Sequence, residues 1–573
     1  MMIPTKPFPK FISCLKNLST TARLCLLIPT LLCAVQSAGA ETSPFSLSAL
    51  EDVAVQENGR NKPLLVLAME NLRTIYGADV WKDPETKQKV PALQVMMEML
   101  LEPDPWLSRK IIRVDHLKLK KELGLEPSEK YFTYRELSQS DRLQTLFSEV
   151  LALREKDSRV KLEPMLEAAR GVGAKMEVFE RMATGKVWMV VPHPSDPVHG
   201  AWVTLPEGNK YYQPEQLSAA VAAFREMAKS YINRDQSGFD RAVATLDESL
   251  RGLSPQGYPS ASILQLEHVY TVMHPFRLAW WAYGLAVVVL ALTSLRGREW
   301  GYRVGWGLAL LGFALQLSGF VARTVISGRA PVTNMYETVI WLGFGVMLFG
   351  LIFEAIYRCR YFLLGSAPVA VASLILADSL PSVLNSAIHP LVPVLRHNFW
   401  LTTHVLTITS SYAAMALALG VAHIILGKLL LKKEVTAALY QYLYRAIQIG
   451  VLLLGVGTIL GGVWANYSWG RFWDWDPKET WALIAFLCYV AILHGRLAGW
   501  WGGFGLAVGA ILAFQAVVMA WYGVNFVLGQ GLHSYGFGAG GLEYVLGFTV
   551  LELIFVGAAL LSRFRGGAVL SKA

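Results

Sequence analysis

Long apolar runs dominate the second half of the chain. From Phe276 onward they follow one another with short loops between them, and each has about the 20 residues that a membrane-spanning helix needs. The runs are 277–295, 304–326, 336–357, 361–380, 401–427, 441–463, 479–496, 502–522 and 541–562. This pattern predicts an all-α polytopic membrane protein with about nine transmembrane helices.

The region before these runs has a different pattern. Between Glu41 and about His268, charged residues are frequent and no apolar run is long enough to cross a membrane. Helical patterns such as "ALQVMMEMLL" and "TLFSEVLALREK" occur together with short strand-like pieces, "KVWMVV" and "GAWVTL". We therefore expect an N-terminal, exported, mainly helical α+β domain.

The first 40 residues form a third pattern. Basic residues between Lys6 and Arg23 precede a short apolar core, "LCLLIPTLLCAV", and the small residues at 38–40 fit a cleavage site. We interpret this segment as a secretory signal peptide, with an uncleaved anchor as the alternative. The predicted domains are a signal peptide (1–40), a periplasmic domain (41–275), a transmembrane domain (276–565) and a cytoplasmic tail (566–573).

Composition and charge agree with this organisation. Hydrophobic residues make up 53% of the chain and charged residues 17%, which is typical of an integral membrane protein. The net charge is +9, but much of the basic excess falls in alternate loops between the apolar runs. The positive-inside rule requires this of cytoplasmic loops, so the charge indicates topology and not a nucleic-acid ligand. We expect a lipid bilayer around the chain and a location in a bacterial inner membrane.

The five cysteines lie at 14, 25, 33, 359 and 488, so none falls in the predicted periplasmic domain. This position argues against a disulfide scaffold and against a cysteine-based metal site in that domain.

A tryptophan-rich stretch follows the sixth apolar run. "WANYSWGRFWDWDPKETW", residues 464–481, contains five of the chain's 18 tryptophans. An interfacial aromatic belt is the simpler interpretation. On a helical wheel, however, the aromatic residues cover well over half of the circumference and form no single stripe. The pattern favours a binding surface for a large flat ligand, with Arg471 or Lys478 opposite a negative charge. The candidate aromatic residues are Trp464, Trp469, Trp473 and Trp475.

Histidines lie close to this stretch in the predicted topology. His404 and His533 fall at or near the outer ends of two spans, on the same side of the membrane as the tryptophans. Two imidazoles beside an aromatic surface are suited to be the axial ligands of a haem iron. His397, seven residues before His404, is an alternative ligand.

Two more histidines lie deeper in the membrane part. His494 ends one span, and His423 lies in the inner half of another. An ionisable residue within a span indicates a functional role, here a second binding place for the same cofactor. For His423, contact with a polar group of a neighbouring helix is the alternative.

Two short motifs predict helix starts. In "PVTNMYET", Asn334 and Glu337 have the spacing of an N-capping box, although Thr333, Asn334 and Glu337 are also possible site residues. Asp476-Pro477-Lys478-Glu479 has an N-cap, a proline at the first helical position and a glutamate at the third. We expect changes at Asp476 or Glu479 to disturb folding and truncation of the tryptophans to weaken ligand retention.

The tryptophan stretch matches the pattern W-A-x-x-x-W-G-x-x-W-x-W-D-P-K-E-x-W at every fixed position. This is the WWD signature of the CcsA or ResC family of cytochrome c biogenesis proteins. "VNFVLGQGLHSYG" and "WLTTHV" followed by "SSYAAM" are similar to the outer histidine segments of that family. The resemblance covers about residues 277–562.

The resemblance implies a role in cytochrome c biogenesis with haem b as substrate and ligand. His404 and His533 match the outer histidines that ligate haem iron, and His494 matches a histidine within the membrane. The family joins the haem vinyl groups to the Cys-x-x-Cys-His segment of apocytochrome c, as a cytochrome c synthase. A CcsB/ResB-like membrane partner supplies the second membrane histidine there, so His423 is a candidate from the residues alone.

The resemblance assigns no catalytic residue. One alternative is a haem exporter or chaperone that delivers haem without attaching it, because related proteins of another assembly system share the tryptophan motif. Another is a structural subunit whose tryptophans form an interfacial belt.

Overall fold

The computed structural model describes residues 45–157, 160, 162–196, 200–294, 299–380, 383–390, 398–528 and 541–570. These residues divide into two compact units. One contains the described residues up to Val272 together with Ala387–Pro390, and the other contains the rest from Met273 onward. The predicted signal peptide lies outside the described residues.

The N-terminal unit is mainly helical, with short strands, as the sequence pattern predicts. Its helices are α1 (Leu64–Tyr76), α2 (Ala92–Leu101), α3 (Pro103–Trp106), α4 (Leu117–Glu122), α5 (Tyr134–Ser138), α6 (Asp141–Lys156), α7 (Pro164–Ala183), α8 (Pro214–Ile232), α9 (Gln236–Leu253) and α10 (Ala261–Met273), with 3₁₀ turns at Ser48–Leu50 and Leu205–Lys210. Its strands are β1 (Ala54–Glu57), β2 (Arg60–Pro63), β3 (Val80–Lys82), β4 (Lys89–Pro91), β5 (Ile112–Arg113), β6 (Tyr131–Phe132), β7 (Met189–Val191) and β8 (Val203–Thr204). Consecutive strands pair as four antiparallel two-stranded sheets.

Paired charges occur beside the apolar core of this unit. Lys62 on β2 is almost fully buried, and its ammonium donates to Glu57 at 3.1 Å and also to Glu70 of α1. Arg60 makes a bidentate bond to Glu267 of α10, at 2.7 and 2.8 Å. Because unpaired buried charges are strongly unfavourable, these pairs hold the first hairpin to α1 and α10 in one arrangement.

The second unit is all-α. Its helices are α11 (Pro275–Ser294), α12 (Glu299–Ser327), α13 (Met335–Tyr357), α14 (Tyr361–Ser379), α15 (Asn398–Trp400), α16 (Leu406–Leu430), α17 (Ala437–Trp469), α18 (Pro477–Leu497), α19 (Gly503–Val518) and α20 (Leu542–Leu570). Two segments are π-helical. Leu401–Val405 immediately precedes α16, and Met519–Leu528 immediately follows α19. Within the described residues, nine helical spans are long and apolar enough to cross a membrane, which confirms the predicted number.

The helix ends differ from the sequence prediction at one important place. The sixth run was predicted to end at 463, but α17 continues to Trp469 and ends where Gly470 adopts a left-handed conformation, with φ of 70°. The first half of the tryptophan stretch is therefore helical, because glycine supplies the stop signal seven residues later than the end of the apolar run.

Helix α16 lies at the centre of the membrane unit and is buried along most of its length. Small residues allow neighbouring helices to approach it closely: a Cβ at Gly420 would lie 2.3 Å from the carbonyl oxygen of Gly365 on α14. Buried polar groups add contacts between α11, α12 and α13. Tyr283 donates to Gln316 Oε1 at 2.9 Å, and Gln316 donates to the carbonyl of Ile340 at 2.9 Å.

Candidate functional site

A large cavity opens where the ends of several membrane helices meet. Its empty volume is about 1200 Å³, including space open to solvent, and its walls are mainly apolar and aromatic. The lining comes from the segment before α13 and its start, the π-helical turn before α16 and the first turns of α16, the end of α17, the loop to α18, the start of α18 and the second π-helical segment. The residues used below are Thr333, Asn334, Thr338, His404, Gly461, Gly462, Trp464, Trp469, Phe472, Trp473, Lys478, Glu479, Trp521 and Asn525.

His404 lies in this wall, and its ring is held in a defined orientation. It belongs to the π-helical turn that precedes α16, a geometry often found at functional sites. Nδ1 lies 2.9 Å from the carbonyl oxygen of Gly457 on α17. Because a carbonyl oxygen only accepts, Nδ1 carries a proton, and in the neutral ring this leaves the lone pair on Nε2, the form that can ligate a metal.

Two adjacent glycines of α17 make room for the rings at this wall. A Cβ at Gly461 would lie 2.7 Å from Cε1 of His404, and one at Gly462 would lie 2.6 Å from the ring of Phe472. Any larger residue would displace these rings. The rings of His404 and Phe472 therefore pack directly against the α17 backbone at Gly461 and Gly462.

The tryptophans of the signature occupy different places. Trp464, Trp469 and Trp473 line the cavity, and Trp464 lies edge-on to His404 with 5.7 Å between ring centroids. The indole nitrogen of Trp464 is buried and has no hydrogen-bond partner among the described residues. Trp475 is 70% exposed and contacts the edge of Trp473 at 5.8 Å, so it lies outside the described lining of the cavity.

The charged residues of the signature form a local framework. Glu479 accepts from Arg471 Nη1 and from the backbone nitrogen of Asp474, both at 2.9 Å. The guanidinium of Arg471 also lies over the Trp469 ring, 5.3 Å from its centroid. These contacts fold the loop back onto the first turn of α18.

The predicted helix start at Asp476 is confirmed. Asp476 Oδ1 accepts from the backbone nitrogen of Lys478 at 2.9 Å, and Pro477 is the first helical residue. Glu479, the third residue, does not return to the cap but binds Arg471 instead. The side chain of Lys478 lines the cavity, and its ammonium donates to Asn525 Oδ1 at 3.3 Å.

The segment "PVTNMYET" forms the facing wall. Asn334 is the N-cap of α13, since its Oδ1 accepts from the Glu337 backbone nitrogen at 2.8 Å. The predicted capping box is wrong in its second half, because the Glu337 carboxylate accepts from the backbone and hydroxyl of Thr333, each at 2.7 Å. Fully buried Glu337 also pairs with Arg323 at 2.8 Å and Arg329 at 3.4 Å. The capping motif therefore contains the centre of a buried charge cluster beside the cavity.

The second π-helical segment closes another side of the cavity. Trp521 donates its indole proton to Thr338 Oγ1 at 3.0 Å, and Asn525 donates to the Trp521 carbonyl at 2.8 Å. This segment runs to Leu528. His533, like the alternative ligand His397, lies outside the described residues, so its predicted place opposite His404 stays a prediction.

His494 and His423 lie elsewhere on the membrane helices. His494 is exposed near the end of α18, with Nδ1 2.8 Å from the carbonyl of Val490. His423 on α16 has Nε2 3.0 Å from Glu552 Oε2 on α20, and its ring stacks on Phe555. The polar neighbour that the alternative interpretation of His423 required is therefore present.

Sequence reasoning missed Glu552 because its partner lies on a distant helix. An isolated glutamate in an apolar run is itself a signal for such a partner, since unpaired carboxylates in a membrane are strongly unfavourable.

The arrangement can bind a flat, largely apolar ligand that contains a metal and carries negative charge. The aromatic walls supply contact area, His404 supplies a metal-ligating nitrogen, and Lys478 supplies a cation. Among the described residues, no group of three or more histidine, cysteine or acidic side chains could hold a metal ion by itself.

Comparison with known proteins gives the family. Residues 332–533 match the model of the family described as cytochrome C assembly protein. Protein NrfI of Wolinella succinogenes is 30% identical over 507 residues, which cover 84% of this chain and 53% of NrfI. The chain therefore spans about half the length of NrfI. Cytochrome c biogenesis protein CcsA of Chlorella vulgaris is 36% identical over 273 residues, or 41% of this chain and 85% of that protein. CcsA of Synechococcus sp. strain CC9902 is 35% identical over 292 residues, covering 44% of this chain and 95% of that protein. The chain belongs to the CcsA family of cytochrome c biogenesis proteins.

Proposed function

We propose that this protein binds haem b in the aromatic cavity and presents it for covalent attachment to apocytochrome c. The observation that carries the proposal is the position of His404, whose imidazole stands in the wall of an aromatic cavity with Nδ1 bound to Gly457. His404 and His533 are the proposed axial ligands of the haem iron. Trp464, Trp469 and Trp473 are the proposed contacts of the porphyrin faces and edges.

The chemistry of the cavity supports haem as the cargo. Its walls are mainly apolar and aromatic. An apolar pocket with a few placed polar groups is what cofactor sites generally use. Trp475, outside the described lining and largely exposed, is proposed to meet the incoming apocytochrome at the rim.

The proposed reaction is the addition of two cysteine thiols of a Cys-x-x-Cys-His segment to the two haem vinyl groups. In each addition the sulfur bonds to the vinyl carbon next to the ring, and the thiol proton ends on the terminal carbon, which becomes a methyl group. No group leaves and no external oxidant is consumed. The protein's contribution is then to hold the vinyl edge near the thiols and to exclude side reactions.

We also propose that the chain acts with a CcsB/ResB-like membrane protein. The observation that supports this is His494, which is exposed near the end of α18. A partner helix packed there would enclose His494 in a second haem-binding site within the membrane. In this proposal the cavity faces the periplasm of a bacterium and the basic loops face the cytoplasm.

The test is expression of the chain with an apocytochrome c in cells that lack their own assembly system, with and without a CcsB-like partner. We expect covalent haem on the cytochrome when the partner is present and loss of that signal in His404→Ala. His116→Ala, which removes an imidazole from the N-terminal unit, is the matched control and should keep the signal. Haem bound by the purified chain but never attached, under any condition, would refute the synthase proposal and favour haem delivery alone.

A further inference from the structure

Two cations of the tryptophan signature are candidates to bind a negatively charged group of the cargo, and the structure separates them. Arg471 is engaged with Glu479 at 2.9 Å and with Asp474 at 3.4 Å, and it lies outside the described lining of the cavity. Lys478, in contrast, is part of that lining. Of the two, Lys478 is therefore the cation that a bound ligand would meet.

The surroundings of Lys478 suit a carboxylate. The ammonium donates to the amide oxygen of Asn525 at 3.3 Å, and the carboxylate of Asp476, two residues earlier, also acts on it electrostatically. Asn525 is itself anchored to the Trp521 carbonyl at 2.8 Å. Most other residues of the cavity wall are apolar or aromatic, so an ion pair formed here is less weakened by solvent than one on an open surface.

We propose that Lys478, supported by Asn525, binds a propionate carboxylate of haem and so sets the rotation of the porphyrin in the cavity. The inference rests on the proposed function, because it requires haem in the cavity. Axial ligands such as His404 leave the ring free to rotate about the iron–nitrogen axis. A second anchor at one edge removes that freedom.

This anchor has a consequence for the attachment reaction. In haem b the two propionates lie together on one edge of the ring, and the vinyl groups lie on other positions of the rim. Holding a propionate at Lys478 therefore keeps the vinyl groups away from α18 and in a constant direction. Lys478 is a positioning residue in this sense, because it acts on the orientation of the vinyl groups and not on their reaction.

The experiment compares two porphyrins on the purified full-length chain. Haem b and haem dimethyl ester, in which both propionates are neutral, are titrated into the wild type, Lys478→Met, Lys478→Arg and Lys433→Met. Met keeps the length of the side chain without its charge. Lys433 is an exposed lysine in the loop between α16 and α17, so Lys433→Met is a control for the loss of one positive charge.

We expect the wild type to bind haem about ten- to a hundred-fold more tightly than the ester, as a charge-assisted hydrogen bond would give. Lys478→Met should lose this preference while still binding the ester as the wild type does. Lys478→Arg and Lys433→Met should keep the preference. Binding of the ester by Lys478→Met also shows that this variant is folded.

The outcomes separate the two proposals. If the wild type binds both porphyrins equally, or if Lys478→Met keeps the preference for haem, the propionate assignment is wrong while haem binding stands. If the wild type binds neither porphyrin, the proposed function fails and this inference fails with it. Arg471→Met serves as a comparison, since it removes the arginine partner of Glu479 and should weaken the binding of both porphyrins to the same degree.

Discussion

Replacing Gly461 by alanine should test whether His404, in its position against α17, belongs to a haem-binding site. The added methyl group would lie 2.7 Å from Cε1 and 3.2 Å from Nδ1 of His404. Carbon atoms in contact prefer about 3.5 Å or more, so the ring must move by roughly 0.8 Å. This movement pulls Nδ1 away from the Gly457 carbonyl, which it now meets at 2.9 Å.

The size of the effect follows from these distances. The lost hydrogen bond contributes about 0.5–1.5 kcal/mol to holding the imidazole in its orientation. Displacing a functional group by close to 1 Å can lower function on the order of 100-fold. We expect Gly461→Ala to weaken haem binding by about ten- to a hundred-fold. The substitution should not destabilise α17 itself, because alanine is favoured over glycine by about 1 kcal/mol in a helix interior.

The assay is a haem titration of the purified protein, followed by its absorption spectrum and by thermal unfolding. Gly427→Ala on α16 is the matched control, because a Cβ at that position meets nothing within 4 Å. It should leave haem binding unchanged. If Gly461→Ala binds haem with wild-type affinity and an unchanged spectrum, the position of His404 against α17 is not part of a haem-binding site, and the proposed role of His404 is refuted.

Three further predictions concern charged residues that do not line the cavity themselves. His423→Ala should destabilise the fold by about 1–3 kcal/mol, because it leaves the buried Glu552 carboxylate unpaired, and thermal unfolding should show recovery when both residues become leucine. Glu337→Gln should cost about 3–5 kcal/mol in the same assay, since it unpairs two buried guanidinium groups; a change below 1 kcal/mol would contradict the role of the cluster. Burial raises the pKa of Glu70, but Lys62 and a neighbouring arginine lower it more, so the net pKa lies below 4.5. Its stabilising contribution is therefore present above that pH and lost as the pH falls through the lowered pKa, so the melting temperatures of wild type and Glu70→Gln should converge in acid and differ at pH 7.

The membrane spans could be predicted because their signal is local. A helix in lipid must satisfy its own backbone hydrogen bonds and present apolar side chains, so length and composition suffice to find it. The same holds for the start of α18, where Asp476 and Pro477 act within two residues of each other. The end of α17 was placed too early, because the apolar run stops before the helix does and Gly470 supplies the actual stop.

The pairings between helices could not be predicted in this way. Glu337 looked like half of a capping box, and only the approach of α12 reveals that it also binds Arg323. His423 looked like a possible haem ligand, and only the approach of α20 supplies Glu552. In both cases the partner is far away in sequence, and no spacing rule connects the two residues.

The sequence alone therefore determined the number of membrane spans, the mainly helical N-terminal unit and the signature that places the chain in its family. Tertiary structure decided which members of that signature meet a cavity: Trp464, Trp469, Trp473 and Lys478 line it, while Arg471 and Trp475 lie outside its described lining. The reason is geometric. A local pattern states which residues are present, but only the close packing of α16 against α17, allowed by Gly457 and Gly461, brings His404 to the tryptophans.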